Sequence, residues 1–212
     1  MARKIFFSFH FDRDAWRAGQ VRNSDLIPNE DEYGFIDSVD WEEVKRKGIE
    51  EIKRWIDSQL KDTSVTVVLI GAETAERYWV NYEIRKSWER GNAILGVYIH
   101  NAKDQDGKTD TIGANPFDKI YFADGTALSS VCKTYDWITN DGRNNLGTWV
   151  EEAFRSREAY SGETELKDAD DDINNGYGGN TPIRPQPQTP STGPTFINRT
   201  PSRPHCNVRL KP

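Results

Sequence analysis

The sequence predicts a three-layer α/β domain with a central parallel sheet of about five strands. Short apolar runs are continuous rather than alternating, which is typical of strands covered on both faces. Segments with helical periodicity separate these runs, and right-handed crossovers then make a flavodoxin-like sheet the simplest arrangement. The predicted strands are KIFFSF at 4–9, VTVVLI at 65–70, AILGVYI at 93–99, KIYFA at 119–123 and, more weakly, YGFID at 33–37.

Three segments between or after these runs have the periodicity of amphipathic helices. The segment 40–60 begins with Asp40 and Glu43 in the spacing of a capping box, and one face carries Val44, Ile49, Ile52, Ile56 and Leu60. The segment 78–92 ends at Gly91-Asn92, a common helix stop, and its apolar face carries Val80, Ile84 and Trp88. A third helix is predicted at 145–158, with Leu146, Trp149, Val150 and Phe154 on one face.

The composition changes near residue 160, so we predict one folded domain at 1–160 and a tail at 161–212. The tail holds eight of the ten prolines and few apolar residues. Such a segment cannot bury enough apolar surface to offset the entropy of ordering it. We therefore expect a low-complexity, disordered tail.

Charge and cysteine usage exclude several classes of function. Acidic and basic residues are mixed along the chain and the net charge is −6, which argues against a nucleic-acid partner. The longest apolar runs are too short to span a membrane, and the first residues are too polar for a signal peptide, so we expect a cytoplasmic protein. Neither the cysteines nor the histidines have metal-ligand spacing, which predicts no metal site: Cys132, Cys206, His10, His100 and His205.

Glu83 is the carboxylate whose position is most suggestive. Ligands of parallel α/β sheets bind outside the carboxyl ends of the strands. Glu83 follows the strand 65–70 after a short loop and comes four residues after Trp79 on the predicted helix. The helical periodicity places it at the border between the packed face and the open face.

Two long stretches resemble the TIR-like (ThsB-like) family of bacterial Thoeris anti-phage defence systems. They are KIFFSFHFDRD at the N-terminus and DTSVTVVLIGAETAERYWVNYEIRKSWERGNAILGVYIH, in which a W-x-x-x-E helix carries the family's key glutamate. Further similar pieces are VRN at 21–23, FIDSVDWEEVKRKG at 35–48 and GANPFDKIYF at 113–122. The resemblance covers most of residues 3–125.

This resemblance implies a TIR fold and an NAD-cleaving enzyme of the NAD nucleosidase or ADP-ribosyl cyclase type. It implies that Glu83 is the catalytic residue, and that Phe9 or Trp79 could stack on nicotinamide or line the cleft. The substrate-binding positions that it implies, from their places around the expected cleft, are Phe9, His10, Asp37, Ser38 and Thr74. The chain has no G-x-G-x-x-G motif, so NAD is expected as a consumed substrate and no cofactor is expected.

The resemblance also implies partners. The expected product is a cyclic or otherwise modified ADP-ribose, a messenger that activates a separate effector protein. We expect a phage-derived trigger, because an NAD-cleaving enzyme that is always active would exhaust its host, and a homo-oligomer in the active state.

Two other classes of function stay open at this point. One is a non-catalytic TIR-like interaction or scaffold module in which Glu83 is structural. The other is a phosphoacceptor domain, for which Asp12 and Asp14 follow the first strand as required. That domain would also need an aspartate after the strand 65–70, where Gly71 and Ala72 stand instead.

Overall fold

The central sheet has four parallel strands in the order β1-β2-β3-β4 within the part of the chain that the structure describes. A computed structural model describes residues 3–24, 47–158 and 165–167, all in a unit that spans Met1–Asp171. The strands are β1 (Ile5–Ser8), β2 (Val65–Ile70), β3 (Ala93–Tyr98) and β4 (Thr134–Asp136). The register aligns Ile5 with Val65, Val65 with Ala93, and Gly96 with Thr134. The predicted α/β class with a parallel sheet is confirmed.

Four α-helices of the described residues pack on this sheet: α1 (Phe11–Arg22), α2 (Ile49–Leu60), α3 (Tyr78–Glu89) and α4 (Gly142–Glu158). Because successive strand residues point to opposite faces, β1, β2 and β3 each contribute to two cores. Alternate strand residues pack with α1 and α4 in one core, whereas the others pack with α3 or α2 on the opposite face. All six residues of β2 are buried, as expected for a strand that is covered on both sides.

The predicted helices at 78–92 and 145–158 are confirmed as α3 and α4. The residues of their predicted apolar faces are buried: Val80, Ile84, Trp88, Leu146, Trp149 and Val150. Phe154 is partly buried and packs against the core that contains Leu146, Trp149 and Val150. Helix α3 stops where the sequence predicts, because Gly91 adopts a φ of 83°, which a residue without a Cβ tolerates.

The prediction of a continuous helix at 40–60 is wrong, because the helix is interrupted at Gly48. Gly48 has a φ of 99° and separates Lys47 from α2, which begins at Ile49. Ile49 was expected on the buried face but is 59% exposed, whereas Ile52, Ile56 and Leu60 are buried. The capping positions Asp40 and Glu43 lie outside the described residues.

Helix α1 is not predicted by the apolar pattern. Its buried positions follow helical spacing, but two of the four are charged: Asp14, Arg17, Ala18 and Val21. The helix therefore lacks the apolar stripe by which amphipathic helices are recognised.

The prediction of a strand at 119–123 is also wrong. This segment follows a short 3₁₀ helix, Pro116–Lys119, whose N-terminus is capped by the Asn115 side chain. Ile120 and Phe122 are buried by a loop that packs on α3 and β3, not by a sheet. The fourth strand is instead Thr134–Asp136, whose three half-buried residues give no apolar run.

Two further predictions concern segments that the structure describes little or not at all. The weak strand at 33–37 lies outside the described residues. Within the predicted tail, Leu166 forms an antiparallel bridge with Phe122, and the Lys167 N–H donates to the Tyr121 carbonyl. No helix among the described residues combines the length and the apolar character needed to cross a bilayer.

Candidate active site

The Glu83 carboxyl lies beside the end of β1, at the carboxyl edge of the sheet. The Ser8 hydroxyl, on the last residue of β1, donates a hydrogen bond of 2.5 Å to Glu83 Oε2. Ser8 is fully buried and Glu83 is 3% exposed. The border position that helical periodicity predicts for Glu83 is therefore wrong. Periodicity describes only the helix itself, whereas β1 covers this side of α3.

The environment of Glu83 favours its neutral form. Burial raises the pKa of Glu83 to about 8 from an ordinary value of 4.5, and the Ser8 hydrogen bond opposes this rise only in part. No charged side chain of the described residues contributes to the shift. At neutral pH, and with no cation bound nearby, the carboxyl is mostly protonated.

The loop between β2 and α3 fixes the start of the glutamate helix. The Gly71 N–H donates to Thr74 Oγ1 at 2.9 Å, and the Thr74 hydroxyl donates to the Leu69 carbonyl at 3.4 Å. Thr74 is fully buried, and both contacts of its hydroxyl stabilise this turn. Its predicted role in substrate binding stays a prediction.

The structure does not bring the Phe9 ring to Glu83. Phe9 is 8% exposed and belongs to the core under α1 and α4, where its ring lies 6.0 Å from that of Phe11. His10 is the N-cap residue of α1 and lies two residues after the end of β1, so it stands at the carboxyl edge of the sheet. The remaining two predicted binding residues, Asp37 and Ser38, lie outside the described residues.

Trp79 packs beside the glutamate helix rather than standing free in a cleft. Its ring makes edge contacts with Tyr78 and Tyr82, at centroid distances of 4.9 and 5.9 Å. It also packs against the core formed by Phe6 and the apolar face of α2. The tryptophan of the W-x-x-x-E motif therefore joins α3 to α2.

A second polar group, which the sequence patterns did not predict, lies under α1 and is here called the Arg17 cluster: Asp14, Arg17, Asp104 and Asp110. Arg17 lies 3.6 Å from Asp14, 3.4 Å from Asp104 and 3.7 Å from Asp110, and it donates to the Ala102 and Lys108 carbonyls. These contacts fasten the loop after β3 to α1.

Asp14 is the most enclosed member of the Arg17 cluster. It is fully buried, and a Cβ on Gly71 would lie 2.1 Å from Asp14 Oδ2. Burial raises the pKa of Asp14 to about 6, and the nearby Arg17 guanidinium opposes that rise. The i, i+3 spacing of Asp14 and Arg17 was the signal that the sequence offered for this ion pair.

A surface pocket lies at the opposite end of the strands. It is lined by Trp88, Ile94, Val131, Cys132, Lys133, Tyr135, Ala153, Ser156 and Arg157. This lining contains neither Glu83 nor any other carboxylate, so the pocket does not suit the carboxylate-dependent reaction expected of this protein. Cys132 is a buried free thiol, and burial raises its pKa to about 12, which makes it unreactive.

Comparison with known proteins identifies the family. Residues 6–104 match the family described as Thoeris protein ThsB, TIR-like domain. A protein of Bacillus cereus (strain MSX-D12), named "Putative cyclic ADP-D-ribose synthase ThsB1", is 36% identical over 191 residues, which cover 71% of this chain and 100% of that protein.

This chain belongs to the ThsB TIR-like family. The matched residues of the TIR-like domain include Ser8, Glu83, Gly71 and most of the Arg17 cluster. Among the described residues of this TIR-like protein, no group of three or more His, Cys, Asp or Glu side chains is arranged to hold a metal ion. The expectation of a metal-free site stays a prediction.

Proposed function

We propose that this protein cleaves NAD, releases nicotinamide and makes a cyclic or otherwise modified ADP-ribose. One observation supports it most: Glu83 is a buried carboxyl without a charged partner among the described residues, at the carboxyl edge of a TIR-like domain. Such an environment is costly for a carboxyl, and strongly perturbed carboxyls of this kind are concentrated at functional sites. Membership of the ThsB family and the name of the Bacillus relative agree with this proposal.

The reaction requires only one carboxylate. The bond between the nicotinamide nitrogen and the ribose C1′ breaks, and its electron pair goes to the nitrogen, so the cationic pyridinium leaves as neutral nicotinamide. No general acid is needed for this departure. Positive charge develops on the ribose, and an ionised Glu83 that binds the ribose hydroxyls would stabilise it within a site that excludes water.

Substrate binding would itself ionise Glu83. In the protein without substrate, burial keeps the pKa of Glu83 at about 8. A pyridinium cation beside a carboxyl favours the charged form and lowers that pKa, and the effect is strong where water is excluded. The carboxylate would therefore form when the substrate that needs it arrives.

The nucleophile decides the product. Attack by water gives ADP-ribose, whereas attack by a hydroxyl of the same molecule gives a cyclic ADP-ribose. In both cases the attacking oxygen forms the new bond to the ribose C1′ and loses its proton. We propose the second outcome, because the Bacillus relative is named as a cyclic ADP-D-ribose synthase. The product would act as a messenger to a separate effector protein, in the cytoplasm, after a phage-derived trigger and with the enzyme in a homo-oligomer.

We also propose that Phe9, His10 and Thr74 border the substrate site, together with Asp37 and Ser38. His10 follows β1 at the carboxyl edge, and Thr74 fixes the turn that leads to α3. Because the Phe9 ring and the Thr74 hydroxyl are occupied by packing and by the turn, they would act mainly by shaping the site.

The test measures small molecules in cells that express the wild type, Glu83→Gln or Glu89→Gln, with and without phage infection. Glu89 is an exposed residue of the same helix that pairs with Lys86, so its variant is the matched control. We expect infection to lower NAD and to produce a compound lighter than ADP-ribose by one water molecule, in the wild type and in Glu89→Gln only.

The alternative is an interaction module in which Glu83 has only a structural role. Loss of NAD in infected cells that is equal in the wild type and in Glu83→Gln would contradict our proposal. Unchanged NAD in all three strains, under an infection that the intact defence system resists, would favour the interaction module.

A further inference from the structure

Ser8 is the polar exception in an apolar strand. All four residues of β1 are buried, and the other three are Ile5, Phe6 and Phe7. Ser8 shares a strand face with Phe6, which packs against the apolar side of α2. A buried hydroxyl in such surroundings is costly unless it has a hydrogen-bond partner.

The partner of Ser8 is distant in sequence and lies on another element. Its hydroxyl donates to Glu83 Oε2 across 75 positions of sequence, rather than to a nearby carbonyl as serines commonly do. Within the described residues, this is the one hydrogen bond that the Glu83 carboxyl makes. It occupies Oε2, so Oε1 is the oxygen left for a ligand.

No charged side chain on the described elements packed against α3 stabilises the Glu83 carboxyl in place of Ser8. β1 and β2 contain no titratable side chain, and β3 contains Tyr98. Glu76 ends a short 3₁₀ helix, Thr74–Glu76, in the loop before α3, and it pairs with Lys119. The other titratable groups of these two helices are Glu50, Glu51, Lys53, Arg54 and Asp57 on α2 and Tyr78, Tyr82, Arg85, Lys86 and Glu89 on α3. Arg157 and Cys132 also pack against α3, at Trp88, and none of these groups affects the Glu83 pKa.

We propose that Ser8 is a positioning residue for Glu83: its hydroxyl holds Oε2, so that Oε1 faces the ribose, and it stabilises the ionised carboxyl that bond cleavage needs. This inference rests on the proposed catalytic role of Glu83. The hydrogen bond would be stronger in the ionised state, because a hydroxyl donor binds a carboxylate more tightly than a neutral carboxyl. Ser8 would thereby offset part of the cost of burying the charge.

The test uses Ser8→Ala and Ser8→Thr, which remove and retain the hydroxyl. Nicotinamide release is measured against pH with protein purified from phage-infected cells. We expect Ser8→Ala to lower kcat about ten- to a hundredfold, the usual range for a hydrogen bond to a charged group. We also expect the acid limb of its pH profile to move to higher pH, and Ser8→Thr to restore both.

Ser87→Ala is the matched structural control. The Thr66 hydroxyl donates to Ser87 Oγ at 2.7 Å, which is a second buried hydroxyl contact between the sheet and α3 and lies one helical turn from Glu83. We expect this variant to lose thermal stability while keeping the wild-type pH profile. If Ser8→Ala and Ser87→Ala behave alike in both measurements, Ser8 has only a packing role and the inference is wrong.

A second measurement does not depend on activity. The pH dependence of the unfolding free energy, compared with that of Glu83→Gln, reports the pKa of Glu83 in the folded resting protein. Ser8→Ala should raise this pKa above the wild-type value, and an unchanged value would contradict the inference. Full activity in Glu83→Gln would instead overturn the proposed function, so the two failures are distinguishable.

Discussion

Two buried carboxyls lie on opposite sides of the carboxyl edge, and their surroundings differ. Asp14 lies 3.6 Å from the Arg17 guanidinium, and the pKa of Asp14 is about 6. Glu83 has a hydroxyl and no cation among the described residues, and the pKa of Glu83 is about 8. The first arrangement compensates part of the carboxylate charge within the protein, whereas the second has no compensating cation among the described residues.

The largest effect is expected from removal of the compensating cation. Arg17→Met leaves the Asp14 carboxylate buried without its nearest guanidinium, which should lower the unfolding free energy by about 3 to 5 kcal/mol near pH 8. The loss should be smaller below about pH 6, where Asp14 binds a proton. Urea denaturation at both pH values checks this. A double variant with Asp14→Asn should recover part of the loss, and no recovery would show that Asp14 does not depend on Arg17.

Removal of the uncompensated Glu83 carboxyl should instead raise the unfolding free energy. Because burial raises the folded-state pKa of Glu83 to about 8, the folded protein binds a proton that the unfolded chain releases above about pH 4.5. The resulting cost is absent below pH 4.5, grows as pH rises and is constant above about pH 8. Glu83→Gln should therefore gain about 3 kcal/mol at pH 7 and almost nothing at pH 4.5. A gain that does not depend on pH would refute this explanation, and Glu89→Gln is the control.

A smaller effect tests how closely Asp14 is enclosed. Gly71→Ala would place a Cβ 2.1 Å from Asp14 Oδ2, inside the Arg17 cluster rather than beside Glu83. Overpacking of this kind costs about 1 to 3 kcal/mol, which a thermal melt would show. Gly147→Ala is the control, because nothing lies within 4 Å of its new Cβ on α4 and the variant should be slightly more stable. Equal melting of Gly71→Ala and wild type would mean that Asp14 moves aside easily.

The smallest effect is expected at the exposed rim of the same region. Arg13 donates to both Asp110 oxygens, at 3.0 and 3.1 Å, and its side chain is 38% exposed. Asp110 is only 15% exposed, but Arg13 is open to solvent, which screens the pair, so we expect this contact to contribute about 1 kcal/mol at most. Arg13→Ala should therefore change the unfolding free energy by less than that amount, and the change should shrink further in high salt. A loss comparable to that of Arg17→Met would place Arg13 among the essential parts of the cluster.

The comparison also shows which features the sequence could predict. The apolar runs of β2 and β3 are continuous because both faces are covered, so these two strands, and the helices α3 and α4 with their apolar faces, follow from the apolar pattern alone. The resemblance in sequence motifs then singled out Glu83. The burial of Glu83 and the existence of α1 did not follow, because each depends on polar groups whose partners are distant in sequence. Ser8 and Glu83 are one such pair, and Arg17 with Asp104 is another.

Short elements were missed for a different reason. The apolar run at 119–123 has the composition of a strand, but a loop buries it, whereas Thr134–Asp136 has little apolar character and still pairs with β3. The helix predicted at 40–60 is interrupted at Gly48, whose φ of 99° separates Lys47 from α2. Local patterns of three to five residues do not determine which segment reaches the sheet edge.

The pairing of Leu166 with Phe122 has a practical consequence for shortened versions of this protein. Arg85 of α3 donates to the Lys167 carbonyl at 2.7 Å, and Leu166 packs on the core that contains Phe122. A stop codon at the change in composition near residue 160 would remove both contacts and uncover apolar surface beside the glutamate helix. A shortened gene intended for crystallisation should therefore end after Asp171, the last residue of the unit to which these contacts belong.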